Sequence, residues 1–443
     1  MMHAEIQVDA EAGRAVRTGF PLVHRDQVGS RLKGLSNGAV VDVQDGRGFA
    51  GRGLYDETSP AAIRILTRDK KQALDGAFWR SALDRALDLW RTLVNLSFTD
   101  AWRVVNGAGD GLPGLVVETY SSYAVLRLES EALRPHLSAI IDAVRMTLQP
   151  RGLYEKRRGP EGGRGHHLGG STAPDALPVR EGQLRYLVRL SEGEKTGFYL
   201  DMREARRVLA RYARGKQVLN AFSFSGALSL TAAAAGAPRV VSVDPTPRST
   251  AWGRENFAAN GLPPESHEFL TGDPCEVLGR LASATRRFDV ALVEAPWFDG
   301  RPATPPPSAA KGKAGKKGSH AAKPAKKSAG KKSGASKPAK KHGKRRMGSG
   351  GGSSDPMEIF RRGYANLVKA AVGILQPHGI LACTLHQKDL SYADFLDVLG
   401  SASAEAGARL QVLEVHGLPA DFPVHPAYPQ DQYLKFVVCA VRR

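Results

Sequence analysis

Several acidic or polar side chains stand at the ends of short apolar runs in the C-terminal half of the chain, in an order that suits a nucleotide-like ligand. The run QVLNAF (217–222) leads through Asn220-Ala221-Phe222-Ser223-Phe224-Ser225-Gly226 into the helical ALSLTAAAAG. Small residues in such a turn let a ligand approach the backbone and leave amide groups open at a helix N-terminus. The turn is not GxGxxG, and a plain tight strand-to-helix connection would read the same way. About twenty residues on, RVVSVD (239–244) ends in Asp244, spaced so that its carboxylate can take a ribose diol. Asp273, in TGDPCEVL after the short strand FLTG, is placed to meet an adenine amino group. A further run, FDVALVE (288–294), ends in Glu294 and is followed by Ala295-Pro296-Trp297-Phe298. Ligands of open parallel sheets bind beyond the carboxyl ends of the strands, so a series of suitable ends carries more weight than any one of them.

The elements that position these residues alternate between strand and helix from Leu184 onward, the pattern of a parallel sheet covered by helices. GILACTL (379–385) and YLKFVVCAV (433–441) complete a doubly wound, Rossmann-like α/β domain. Upstream, GAVVDVQDGRGFAGRGLY and AAIRILTRD, with a turn at Asp45-Gly46, predict a small β-rich domain. Phe78, Leu83, Ala86, Leu87, Trp90 and Val94 fall at helical spacing. Strands around a Gly-rich turn (107–114), a helix over 132–148 and the strand GLYEKR follow, and they make an α+β unit. Residues 159–175 read as a Gly-rich loop or linker. The expected domains are 1–70, 71–180 and 181–443, the last interrupted by an insert at 301–354.

At 443 residues, with 42% hydrophobic and 24% charged side chains, the chain has the composition of an ordinary globular protein of two or three domains. Its net charge of +19 is concentrated: residues 311–346 hold thirteen lysines, two arginines and no acid, which leaves +4 for the rest. Such a segment is expected to be disordered and to bind phosphate without sequence preference, or to act as a solvated spacer. The three cysteines (Cys275, Cys383, Cys439) are widely spaced, which argues against a disulfide framework and against CxxC-type zinc binding, so no metal is expected. No signal peptide or membrane-spanning run is apparent. A soluble protein of the reducing cytoplasm is expected, with homodimerisation left open.

The run Glu194-Lys195-Thr196-Gly197-Phe198-Tyr199-Leu200-Asp201-Met202-Arg203 resembles the KTGxxLDQR signature of the RlmI-type 23S ribosomal RNA large-subunit methyltransferases, and Asn220 to Gly226 resembles that family's NxFSYTG turn. NGAGDGLPGLVVE (106–118), RGLYEKR (151–157), RGYANL (362–367) and YLK (433–435) add to the likeness, and VVDVQDGRGFAGRGLY resembles its PUA domain, an RNA-binding fold. The resemblance spans nearly the whole chain apart from the insert. It implies a class I methyltransferase that transfers a methyl group from S-adenosylmethionine to a base of ribosomal RNA. It also implies cofactor contacts from Thr196, Phe198, Arg203, Asn220, Phe222, Ser223, Gly226, Asp244, Asp273 and Glu294.

The best-known target in that family is carbon 5 of cytosine, which needs a thiolate to add to carbon 6. Here the sequence departs from the pattern. Glu294-Ala295-Pro296-Trp297-Phe298 stands for the family's DPPxF, and Leu385-His386-Gln387 stands for its SCS, so His386 occupies the position of the nucleophilic cysteine. Cys383 lies three residues earlier and faces the other side of a regular strand, so it could substitute only through a shift or bulge. As a buried strand cysteine it is better read as packing. Imidazole can serve as a general base but does not form the carbon-activating adduct. Three outcomes follow, in order of preference: methylation of a ring or exocyclic nitrogen or another acceptor, a retained cofactor site without transfer, or rescue by Cys383. Glu294, His386 and Cys383 are thus the catalytic candidates, and Lys435 is read as a phosphate contact or a solvent-facing strand residue. A degenerate RNA-binding or ribosome-assembly factor is the competing function. A small-molecule methyltransferase would leave two RNA-type domains unexplained.

Overall fold

The computed structural model of the chain describes residues 3–29, 32–93, 97–157, 164–192, 196–294 and 355–443. The basic insert expected at 301–354 lies outside the described residues, as do Glu194, Lys195 and Val94.

The N-terminal five-stranded sheet is ordered Ala4–Gln7, Val40–Asp45, Gly48–Tyr55, Ala61–Thr67, Leu22–His24, and the helix Ala10–Arg17 packs on it. Its inward β-branched residues, including Val41, Val43, Ile63 and Ile65, form the core with Val16 and Val23. The two long strands meet at the expected Asp45-Gly46 turn, which is held where the Asp45 carboxylate accepts from the Arg47 amide at 2.8 Å.

A second five-stranded sheet runs Gly165–Gly170, Gly152–Lys156, Tyr123–Leu128, Leu115–Tyr120, Ala101–Asn106. The helix Gly76–Leu93 buries Phe78, Trp79, Ala82, Leu83, Ala86, Leu87 and Trp90, the stripe its helical spacing requires. It shares a core with the helix Leu137–Leu148 and the sheet. The Gly165–Gly170 strand corrects the linker expected over 159–175. GHHLGG has loop composition, but pairing with Gly152–Lys156 supplies its backbone with partners.

The C-terminal sheet has seven strands, ordered Glu268–Thr271, Arg239–Asp244, Gln217–Ala221, Phe288–Glu294, Leu375–His386, Leu434–Arg442, Arg409–His416. The first five are parallel, and Leu434–Arg442 enters antiparallel between its two neighbours. Strand order reverses between Gln217–Ala221 and Phe288–Glu294, so a crevice opens beyond their carboxyl ends. Helices Arg203–Ala213 and Ala227–Ala234 cover one face, and Pro274–Ser283, Pro356–Ile374 and Tyr392–Glu405 cover the other. Among the described residues no helix is long and apolar enough to cross a membrane.

Candidate active site

The turn after Gln217–Ala221 is bent to an unusual degree. Phe222, Phe224 and Gly226 have φ of 61°, 47° and 73°, in the left-handed region that costs a non-glycine residue energy. The next strand end offsets that cost. Asp244 Oδ2 accepts from the Phe224 amide at 2.9 Å, while Oδ1 accepts from the Thr246 amide at 3.0 Å and its hydroxyl at 2.8 Å. Gly272 N donates to Asp244 O at 3.1 Å, which brings Asp273 alongside, where one carboxylate oxygen caps the helix Pro274–Ser283 through the Glu276 amide.

Two polar atoms at this end, Asn220 Oδ1 and Ser223 Oγ, are buried and lack a hydrogen-bond partner among the described residues. Buried polar atoms are nearly always paired, so a polar ligand seated against the turn would satisfy both. S-adenosylmethionine fits this demand, with Asn220, Phe222, Ser223, Gly226, Asp244 and Asp273 as the residues that would hold it. It would supply the methyl group.

Thr196, Phe198 and Arg203, expected to touch the cofactor, each have protein partners. The Thr196 hydroxyl donates to the Tyr120 hydroxyl at 3.0 Å. Phe198 stacks on Tyr186 with centroids 4.4 Å apart, and the Arg206 guanidinium lies 4.2 Å from its ring centroid. Arg203 donates to Glu181, Asp421 and the Ala101 carbonyl at 3.1, 2.5 and 2.8 Å. Thr196 and Arg203 thereby join the central sheet to the C-terminal domain. Gly197, between them, has φ of 98°, and a Cβ there would collide with the Trp252 ring.

Across the crevice a row of rings leads from the cofactor turn to His386. Trp252 and Phe224 have centroids 5.8 Å apart, Phe224 and Tyr199 5.3 Å, Tyr199 and His386 6.1 Å, and His386 and Tyr433 6.2 Å. Planar walls of this kind suit an unstacked base. Behind His386, Asp201 Oδ2 accepts from the Tyr433 hydroxyl at 2.7 Å and lies 3.8 Å from His386 Nε2. Tyr199, Asp201, Trp252 and Tyr433 were not singled out in the sequence. Tyr199 and Asp201 sit within the signature run, whereas Trp252 and Tyr433 are assembled only by the fold.

Cys383 is not brought to this site. The register from Ile380 to His386 against Leu434–Ala440 is unbroken, so no bulge turns its side chain. Its sulfur lies fully buried with Tyr364 and Cys439 in the core under the helices. Burial pushes its thiol well above the ordinary range, which suppresses the thiolate. Lys435 is also buried, and its ammonium donates to the Gln387 carbonyl at 2.5 Å instead of facing solvent.

Glu294, half-buried at the end of its strand, pairs in register with Thr384. Burial, reinforced by Asp201 and Asp244 and opposed by Arg206, pushes its carboxyl up to about 8. The folded state therefore retains a proton that the unfolded chain releases near the ordinary value of 4.5. That preference stabilises the fold fully below 4.5 and is lost as pH rises through about 8. Glu294→Gln is expected to flatten the decline in urea midpoint across this interval. An unchanged decline would place its origin elsewhere.

The profile of the S-adenosylmethionine-dependent methyltransferase family matches residues 126–302, and that of the PUA-like domain matches residues 6–68. The chain thus carries an S-adenosylmethionine-dependent methyltransferase domain preceded by a PUA-like domain. In its particulars it is similar to the large-subunit ribosomal RNA enzymes. It is 28% identical over 431 residues to Bacillus subtilis YwbD, provisionally named a ribosomal RNA large subunit methyltransferase, covering 96% of each chain. It is 28% identical to ribosomal RNA large subunit methyltransferase I of Klebsiella pneumoniae, covering 93% of this chain and 92% of that one. Two solved chains share the fold, each at TM-score 0.78 and 21% identity over 99% of this chain and 100% of theirs. One is a Streptococcus mutans protein provisionally described as an SAM-dependent methyltransferase, and the other is SMU.776, solved in complex with SAH.

Proposed function

We propose that this chain methylates a base of large-subunit ribosomal RNA. In this reading residues 1–70 hold the RNA, residues 71–180 orient it, and residues 181–443 bind S-adenosylmethionine and carry out the transfer. The observation that carries the reading is the shared crevice, in which a cofactor turn with unsatisfied polar atoms continues into a row of aromatic walls. The relatives' names supply the RNA class, and the PUA-like domain is the expected handle for it. Asp244, Asn220, Ser223 and Gly226 hold the cofactor side, while Glu294 and His386 border the acceptor side.

The test is transfer of tritiated methyl from S-adenosylmethionine to unmodified ribosomal RNA, with transfer RNA and bulk small metabolites as competitors. Label is expected in large-subunit RNA alone. Cofactor binding without transfer to any RNA would instead support an RNA-binding factor descended from an enzyme, a reading favoured by the burial of Cys383 away from the site.

A further inference from the structure

We propose that His386, backed by Asp201, is the general base of the transfer, and that the acceptor is a base nitrogen that loses its proton as it gains the methyl group. This inference rests on the ribosomal RNA reading above and names the chemistry of that same site.

The carbon route has no nucleophile in this fold. All three cysteines of the chain are described, and all three belong to or pack against one core cluster. Cys383 and Cys439 are buried on the sheet face covered by Pro274–Ser283, Pro356–Ile374 and Tyr392–Glu405, and Cys275 is half-buried on the first of these helices. Methylation at pyrimidine carbon 5 requires a thiolate or equivalent to add at carbon 6 first, and an imidazole does not take that part.

A nitrogen acceptor needs less, and the site offers it. His386 closes the strand Leu375–His386 at the crevice, on the sheet face opposite Cys383. Tyr199 and Tyr433 flank its ring at interplanar angles of 34° and 32°, walls against which a flat base can lie. Asp201, buried behind it, is 3.8 Å from Nε2, a charge-pairing distance and not a hydrogen bond. The Tyr433 hydroxyl fixes the carboxylate oxygen that faces the ring. The pairing follows the logic of a base backed by an acid, with Asp201 near Nε2 to stabilise an imidazolium and Nδ1 left to take the proton, at charge-pairing distance instead of through a hydrogen bond.

The step balances without a further reactant. The nitrogen lone pair forms the N–CH3 bond as the S–CH3 bond breaks and its electron pair returns to sulfur, leaving a neutral thioether. The proton on nitrogen passes to His386, so the positive charge that began on the sulfonium ends on the imidazolium facing Asp201. Glu294, protonated near neutrality, can donate to a ring nitrogen or carbonyl of the same base. Asp201 does not touch the acceptor in this scheme and is a positioning residue.

The full chain is assayed with S-adenosylmethionine and unmodified large-subunit ribosomal RNA, and the RNA is then digested to nucleosides for mass spectrometry. An N-methylated nucleoside is expected. A nucleoside methylated at pyrimidine carbon 5, or a covalent adduct to 5-fluoropyrimidine RNA, overturns the inference but leaves the ribosomal RNA reading intact. Absence of transfer by the unaltered chain overturns both. His386→Ala is expected to lower kcat by about a hundredfold or more at unchanged KM, with partial rescue by added imidazole. Asp201→Asn should lower kcat about tenfold at unchanged KM and add nothing in the His386→Ala background, because residues acting as a unit are not additive. Full additivity, or a His386→Ala variant with unchanged kcat, overturns the assignment.

Discussion

Replacing Glu181 with glutamine is expected to lower the unfolding free energy by about 3–5 kcal/mol, the loss typical when one partner of a buried ion pair is removed. Glu181, at the end of the strand Leu177–Glu181, accepts from Arg206 Nε at 2.6 Å and Nη2 at 2.8 Å, and from Arg203 Nε at 3.1 Å. The Arg206 side chain is 2% exposed, so it cannot turn to water when its partner is neutralised. Burial alone would raise the Glu181 carboxyl, but the charges and hydrogen bonds of Arg206 and Arg203 outweigh it and hold the group below its ordinary value. A depressed carboxylate stabilises the fold above its unfolded value, and that stability is lost as pH falls through the depressed value. Glutamine removes this contribution, so the acid limb of the stability profile should flatten as well as drop. Urea unfolding at neutral pH measures the first effect, and a loss below about 1 kcal/mol would contradict a desolvated pair.

Asp244→Ala should weaken S-adenosylmethionine binding by about ten- to a hundredfold, read by titration calorimetry. Charge-assisted hydrogen bonds are worth about 1.5–3 kcal/mol each when one partner is removed, and every 1.4 kcal/mol is about tenfold in affinity. Asp244 holds the Phe224 amide and Thr246, so its loss frees a turn whose left-handed residues have no intrinsic preference for that shape. The effect therefore combines a lost ligand contact with a lost preorganised turn. Affinity within twofold of the unaltered chain would remove Asp244 from the cofactor site.

The parallel strands were legible because their signal is local. Gln217–Ala221, Arg239–Asp244 and Phe288–Glu294 are largely apolar runs buried on both faces, and the sequence bounds match to within a residue. Arg409–His416 was missed because it is an edge strand whose Val412, Leu413 and Val415 are exposed, so RLQVLEVH shows no clean alternation. The site divides in the same way. Asp244 and the Asn220–Gly226 turn follow from strand ends and spacing. Tyr433 and Asp201 are 232 residues apart in sequence, and nothing local in either predicts their meeting. The ion pairs of Arg203 were hidden for a related reason, since its partners Glu181 and Asp421 come from distant segments.

The placement of Leu434–Arg442 sets an order of events in biosynthesis. It is the last strand of its sheet to be made, yet it lies between Leu375–His386 and Arg409–His416 rather than at the rim. Until it arrives, both neighbours present open edges toward each other, and the tyrosine that precedes it cannot stand beside His386. The cofactor turn belongs to strands made far earlier. If the proposed reading holds, a growing chain acquires the means to hold a methyl donor before it acquires a place for an acceptor, and only a chain translated through this strand can modify a base.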